Sequence, residues 1–153
     1  MKIITKNKKA YFDYEIIETL EAGIKLAGQE VKSIKNGKIS IKGSYVILKK
    51  QKNKEIPEVF LVGCNIPPYQ PNNTSSDYDP QRSRKLLLKK LEIKRLIGKT
   101  KEKGLTVIPL KVYTRKGKIK LEIAIVKGKR KTDKREKIKK KEVDRQIRRA
   151  LKR

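Results

Sequence analysis

The fold is decided by residues 105–125, LTVIPLKVYTRKGKIKLEIAI, where two strand signals meet across a short polar connector. From Lys118 to Ile125 every second residue is a large aliphatic, which predicts a strand with one buried and one solvated face. Leu105 to Tyr113 is rich in aliphatic residues, and the connector Thr114-Arg115-Lys116-Gly117 places Gly at the turn. The stretch therefore predicts an antiparallel hairpin, in which Pro109 marks a sheet edge or a bulge.

Further strand signals lie nearer the amino terminus. Between Tyr11 and Leu20 the large apolar residues alternate, and the pattern resumes after a break at Ala22-Gly23. Residues 44–48 and 58–62 form a second probable hairpin across a polar loop. Together with the first hairpin, these segments predict five or six strands.

Helix signals are fewer and shorter. Gln29 to Lys35 could make two turns that end at Asn36-Gly37. Asp79-Pro80 is the best helix start, as N-cap and first helical residue, and this helix is predicted to run into residues 84–88 and on through the apolar positions of 93–97. Short strands with a few helices predict a mainly β fold with outer α-helices, namely a closed antiparallel barrel of oligonucleotide-binding (OB) type with about three short helices.

The carboxyl end differs in composition from the rest of the 153 residues. Residues 127–153 hold 15 Lys and Arg against 4 Asp and Glu, with few apolar positions. We expect one domain over residues 1–128 and a basic tail over 129–153 that is disordered when free. Ile147 and Leu151 lie at i, i+4, so a binding partner could fold the tail into a basic amphipathic helix.

Composition excludes most chemistry. The chain has no His, one Cys and one Met, so neither a metal site nor a catalytic triad can be assembled, and we expect no cofactor and no enzymatic activity. The lone Cys64 lies in an apolar run and is predicted to be buried. No secretion signal or stretch of roughly 18 apolar residues is present, which favours a soluble, cytoplasmic protein, and we expect a monomer.

The charge points to a polyanionic partner. Lys and Arg number 43 against 16 Asp and Glu, a formal net charge of +27. Basic clusters at residues 6–9, 82–90 and 127–131 adjoin patterned elements, and no base-reading motif accompanies them, so recognition of RNA backbone and shape is favoured over DNA. A structural ribosomal or RNA-chaperone protein and a membrane-surface protein remain alternatives.

Particular strings go beyond composition. The most specific are Glu30-Val31-Lys32-Ser33 and Asp79-Pro80-Gln81-Arg82-Ser83-Arg84-Lys85-Leu86-Leu87-Leu88, and they are accompanied in order by Asn7-Lys8-Lys9-Ala10, Glu21-Ala22-Gly23, Lys127-Gly128-Lys129 and Asp133-Lys134-Arg135-Glu136. Over residues 7 to about 140 the chain resembles the SsrA-binding protein family, also called small protein B.

That resemblance implies a non-enzymatic factor that binds the tRNA-like domain of transfer-messenger RNA (tmRNA) and delivers it to stalled ribosomes for trans-translation. It implies that the barrel binds tmRNA through Asn7, Lys8, Lys9, Glu21, Glu30, Lys32, Leu87 and Lys120. It also implies that the tail becomes helical in the vacant message channel and decoding centre of the ribosome. The tail residues expected to contact the ribosome are Lys127, Lys129, Arg130, Asp133, Lys134, Arg135, Ile138, Lys139, Ile147 and Leu151.

Overall fold

The computed structural model describes residues 1–129 and 131–151, and for residues 131–137 it describes the backbone alone. Its strands are β1 (Lys2–Lys6), β2 (Tyr14–Ile24), β3 (Tyr45–Lys49), β4 (Glu58–Val62), β5 (Arg84–Leu87), β6 (Leu105–Arg115) and β7 (Lys118–Gly128). Its helices are α1 (Lys8–Asp13), α2 (Gly28–Lys35), α3 (Lys90–Thr100) and α4 (Lys131–Leu151), with a 3₁₀ turn at Pro71–Asn73. The predicted mainly β fold with outer helices is confirmed.

The strands form one antiparallel sheet in the order β1-β6-β7-β2-β5-β4-β3. The predicted closure of the barrel is wrong, because β3 lies beside β6 without pairing with it. Over residues 111–114 the edge of β6 is already paired with β1, so only the first half of β6 is left facing β3. The sheet therefore curls around a core but keeps an open seam.

The β6–β7 hairpin has the predicted form. Lys116 and Gly117 make a two-residue turn with positive φ values of 51° and 76°, the conformation that favours Gly and matches the twist of the paired strands. Pro109 lies at a bulge, where the register shifts before Lys111. The bulge interpretation of Pro109 is therefore confirmed, and Pro109 also lies on the part of β6 that β1 leaves unpaired, as an edge position would.

The main core lies between the inner face of the sheet and helices α2 and α3. Ile34 of α2 and Leu96 of α3 are fully buried there, with Leu121 and Ile123 of β7. A smaller apolar cluster lies on the outer face, where Ala10 of α1 packs with residues of β6 and β7. Helix α1 therefore covers part of the outer sheet face.

The helix predicted from Asp79 through residue 88 is wrong. The Asp79 side chain accepts a hydrogen bond from the Gln81 amide within a turn, and Arg84 begins strand β5. Arg84 and Leu86 are buried while Leu87 is exposed, so burial alternates as in a strand held between β2 and β4. The helix that follows is α3, which starts only at Lys90, where Glu92 accepts a hydrogen bond from the Lys89 amide.

The amino-terminal strands also differ from the prediction. Residues 8–13 form α1, so the predicted strand from Tyr11 begins only at Tyr14, and β2 continues without a break through Gly23. Strand β1 was not predicted. Its residues contain too short an alternation to indicate a strand without the neighbouring β6.

The tail is described as helix α4 over Lys131–Leu151, and the disorder expected in the free protein stays a prediction. No helix among the described residues is long and apolar enough to cross a membrane.

Candidate nucleic-acid interface

The outer face of the sheet carries a row of paired positions. Gly23 of β2 pairs with Leu87 of β5 on one side and with Lys120 of β7 on the other, and Lys120 pairs with Tyr113 of β6. Side chains of directly paired residues project from the same face of a sheet. Leu87 is 53% exposed, so this face is open to solvent. The register thus brings Leu87 and Lys120, both predicted tmRNA contacts, to either side of a glycine.

A groove lies at the end of these strands, beside the glycine. It has a volume of about 370 Å³ and is lined on the outer face by Gly23, Leu87 and Lys120 and on the core side by Ile24 and, from α2, Val31. A Cβ atom at Gly23 would lie 3.2 Å from Leu87 Cβ. The floor of the groove therefore depends on the missing side chain, and its walls offer an apolar surface and a cation to a base or ribose.

Glu21 lies two residues before Gly23 on the same face. Its carboxylate accepts a hydrogen bond from the Tyr113 hydroxyl, and Arg115 Nη1 lies 3.2 Å from Glu21 Oε2. The hydrogen bond from Tyr113, together with the nearby charges of Arg115 and Lys120, lowers the pKa of Glu21 below its usual value. Burial and the Glu21 carboxylate raise the pKa of Tyr113, so its hydroxyl stays a donor at neutral pH.

Glu122 is the neighbouring acid on this face, since it pairs directly with Glu21 across β2 and β7. Its partner is different, because Lys111 Nζ lies 3.4 Å from Glu122 Oε2. Glu122 is therefore held by a lysine, whereas Glu21 is held by a neutral hydroxyl as well as by the more exposed Arg115.

The Asn7-Lys8-Lys9 string lies at the start of α1. Asn7 is buried, where its side-chain amide donates to the Pro109 carbonyl at 3.0 Å and its oxygen accepts from the Ala10 amide at 3.3 Å. Lys8 and Lys9 are exposed and line a cleft of about 350 Å³ together with Lys42. Asn7 thus fixes α1 on the β6 bulge, and contact of Asn7 and the two lysines with RNA stays a prediction.

Glu30 and Lys32 lie on α2, apart from this face. Glu30 is 1% exposed, and its carboxylate lies 2.6 Å from Nε of the fully buried Arg84 and also pairs with Arg82. Burial alone would raise the pKa of Glu30, but hydrogen bonds from the Ala27 amide, Arg84 and Arg82 lower it overall. The carboxylate of Glu30 is therefore enclosed by the protein and has a structural role, and its direct contact with RNA stays a prediction.

Lys32 is exposed, but it faces a different region. Its Nζ lies 5.8 Å from the ring centroid of Tyr69, and both residues line a cleft beside the 3₁₀ turn. A cation in this geometry is attracted by the aromatic ring. Lys32 therefore lines the cleft beside Tyr69 and is not among the residues that line the groove.

The family resemblance implied that Glu21, Leu87 and Lys120 lie on the barrel, and the strand register brings all three to one surface. Tyr113 and Arg115 were not predicted. A signal for them was present in the hairpin. A two-residue turn at Lys116-Gly117 fixes the register, which places Tyr113 opposite Lys120 and projects Arg115 from the same face.

The base of the tail is anchored to α1. The Lys129 amide donates to the Asp13 carbonyl at 3.0 Å, and Lys129 Nζ lies 3.4 Å from the Tyr11 carbonyl oxygen. Lys127, Ile138, Lys139, Ile147 and Leu151 are exposed. Arg130 lies outside the described residues, as do the side chains of Asp133, Lys134 and Arg135.

Comparisons with known proteins agree over nearly the whole chain. A family model described as SmpB protein matches residues 4–153. An SsrA-binding protein of Thermosipho africanus is 52% identical over 154 residues, covering 100% of this chain and 99% of the relative. An SsrA-binding protein of Enterococcus faecalis is 48% identical over 151 residues, covering 99% of this chain and 94% of the relative. A solved chain from "tmRNA-SmpB: a journey to the center of the bacterial ribosome" is 41% identical, with a TM-score of 0.64 over 88% of this chain and 93% of that chain.

Proposed function

The chain belongs to the SmpB family, and from that premise we propose that it is an RNA-binding adaptor for ribosome rescue. It binds the tRNA-like domain of tmRNA and delivers that RNA to stalled ribosomes for trans-translation. It catalyses no reaction itself and acts in the cytoplasm, where its two partners are. The observation that carries the proposal is the open sheet face, where Leu87 and Lys120 line one groove and Glu21 lies two residues along β2 from its glycine.

The chemistry of this face suits a folded RNA with unpaired bases. Positive charge for binding phosphates comes from Lys8, Lys9 and Lys120. These contacts increase the affinity for RNA but do not depend on its nucleotide sequence. Leu87 offers an apolar surface on which an exposed base or ribose can pack. Glu21 repels phosphates and accepts hydrogen bonds, so it favours a ligand that places a base donor or a 2′-hydroxyl beside the groove.

The tail serves the second partner. We propose that residues 129–153 bind ribosomal RNA in the vacant message channel through the basic residues predicted above. The exposed Ile138, Ile147 and Leu151 of α4 are free to pack against that site. A message that fills the channel would exclude the tail, so binding would report that the ribosome is stalled without a codon.

The first test measures affinity for the tRNA-like domain of tmRNA and for a shape-matched control RNA at two salt concentrations. We expect a preference for the tRNA-like domain that survives raised salt, because specific contacts remain when counterion release weakens. Lys120→Ala should lower affinity for the tRNA-like domain more than Lys103→Ala, a matched change at an exposed lysine beyond α3. Parallel loss of both affinities with salt would instead support a general RNA chaperone.

A second test separates the two partners. Removal of residues 132–153 should leave binding to the tRNA-like domain within about twofold of the full chain, a difference below 0.5 kcal/mol. The same truncation should abolish peptide tagging on ribosomes stalled at the end of a message. Equal loss of both activities would contradict the division of labour between sheet and tail.

A further inference from the structure

We propose that Tyr113 is a positioning residue that orients the Glu21 carboxylate toward an unpaired nucleotide of the bound RNA. The inference rests on the proposed tmRNA binding. It adds that Glu21 and Tyr113 together decide which RNA is bound, while the surrounding lysines set how tightly any RNA is bound.

Tyr113 has an unusual environment for a residue on a solvent-facing sheet surface. It is only 4% exposed, and its hydroxyl donates to the Glu21 carboxylate. The Tyr113 ring lies between its two cross-strand partners, Lys120 on β7 and Ile3 on β1. A ring fixed by its neighbours presents its hydroxyl at one place, so the carboxylate that accepts from it is fixed as well.

The two donors on β6 engage the carboxylate unequally. Tyr113 bonds Oε2, and Arg115 Nη1 lies 3.2 Å from Oε2 but 3.5 Å from Oε1. The Glu21 side chain keeps 39% of its surface exposed. Oε1 therefore retains acceptor capacity directed to solvent, whereas Oε2 is held by the protein.

A solvent-exposed carboxylate acceptor discriminates between parts of an RNA in a chain of net charge +27. A phosphate is repelled by it, whereas a base N–H, an exocyclic amino group or a 2′-hydroxyl can donate to it. The lysines attract every RNA in the same way. Glu21 is thus a group on this face that can distinguish a properly placed unpaired nucleotide from a generic phosphate backbone.

The neutral character of the Tyr113 hydroxyl matters for this role. Glu122 lies beside Glu21 but is paired with Lys111, so part of its charge is compensated by a cation. The Tyr113 hydroxyl orients the carboxylate of Glu21 without adding to the charge compensation that Arg115, 59% exposed, already supplies. The same comparison makes Glu122→Gln a matched control for Glu21→Gln.

The test is a double-mutant cycle on RNA affinity with Tyr113→Phe, Glu21→Gln and the double variant. Phe fills the same volume and removes only the hydroxyl, and thermal unfolding of each variant reports whether the fold is kept. Tyr113→Phe should weaken binding of the tRNA-like domain about tenfold, the factor that corresponds to one charge-assisted hydrogen bond, and leave the control RNA within about twofold. The double variant should be no weaker than Glu21→Gln alone, and Glu122→Gln should change neither affinity by more than about twofold.

Three results would overturn the inference: wild-type affinity in Tyr113→Phe, equal weakening toward both RNAs, or additive losses in the double variant. A purely structural role for Tyr113 predicts one of the last two, because a loosened sheet face would affect both RNAs and would act independently of Glu21. A different result refutes the proposed function, namely a wild-type chain that shows no preference for the tRNA-like domain over the control RNA. A clear wild-type preference with an unaffected Tyr113→Phe variant refutes the role of Tyr113 alone.

Discussion

Replacing Glu30 by Gln should destabilise the folded protein by about 3 kcal/mol, since breaking a buried ion pair leaves an uncompensated charge. The charge left behind is Arg84, which is fully buried and whose Nε lies 2.6 Å from Glu30 Oε2. The remaining partners of Arg84 are the carbonyls of Cys64 and Pro80, each at 2.9 Å, which accept hydrogen bonds but carry no charge. The N–H groups of the Gln side-chain amide would also face the Ala27 amide or the Arg84 guanidinium, which are hydrogen-bond donors that now bond the Glu30 carboxylate.

The assay is urea unfolding followed by near-ultraviolet circular dichroism of tyrosine, because the chain has no Trp and its six Tyr all lie within residues 1–129. That signal reports the sheet domain and is insensitive to the tail. Arg82→Gln is the control, since Arg82 pairs with the same carboxylate but its side chain is 47% exposed. It should cost less than about 1 kcal/mol. A Glu30→Gln variant within 1 kcal/mol of wild type would refute the assignment of Arg84 and Glu30 as a buried pair that the fold requires.

Three further outcomes follow from the same geometry. The folded pKa of Glu30 lies below its unfolded value of about 4.3, so the ionised carboxylate stabilises the fold fully above that pH, and this stabilisation is lost as pH falls through the folded pKa. The difference in unfolding free energy between wild type and Glu30→Gln should therefore shrink in acid, and a difference that does not change with pH would contradict the argument. Cys64 is fully buried, and burial raises the pKa of its thiol to about 11, so a thiol reagent at neutral pH should react only when the protein opens, and immediate labelling of the native protein would show the thiol to be accessible. Gly23→Val should push against Leu87 and fill the groove, lowering affinity for the tRNA-like domain about tenfold with little effect on control RNA; unchanged affinity would place the RNA elsewhere.

The hairpin of β6 and β7 was predictable because its determinants are local. Alternating aliphatic residues select the buried face, and Lys116-Gly117 adopts the positive φ values that close a two-residue turn. The same register predicts which residues face Lys120. Tyr113 was not predicted because buried residues lie on both faces of β6, so the hydropathy pattern of this strand does not mark its outer face.

The segment at Asp79 was not predictable in the same way. Asp79-Pro80 followed by consecutive leucines has the local signature of a helix start, and a local turn does form. The strand that follows is imposed by tertiary contacts, since Arg84 reaches its partner Glu30 54 residues away. Local propensity is a weak prior when a buried ion pair and two neighbouring strands select another conformation.

The candidate site was predicted in part for a related reason. Glu21, Leu87 and Lys120 come from three strands, and only their pairing with each other around Gly23 makes them one surface. The resemblance supplied the residues, but it did not distinguish those that are exposed from those that are enclosed. Asn7 and Glu30 each begin one of the strings that carry the resemblance, and both are buried with their polar side-chain atoms hydrogen-bonded inside the protein.

The two most specific strings of the chain meet in a structural clamp, and that clamp sets the geometry of the RNA face. Glu30 of the first string holds Arg84 of the second inside the protein, and β5 then alternates, with Leu86 inward and Leu87 outward. A slip of one residue in β5 would bury Leu87 and expose the charge of Arg84. The ion pair therefore favours the register that places Leu87 on the groove, and we expect Glu30 to affect the proposed RNA binding through this register. Loss of Glu30 should accordingly weaken RNA binding in proportion to the loss of fold stability, whereas loss of Leu87 should weaken RNA binding in a protein that stays folded.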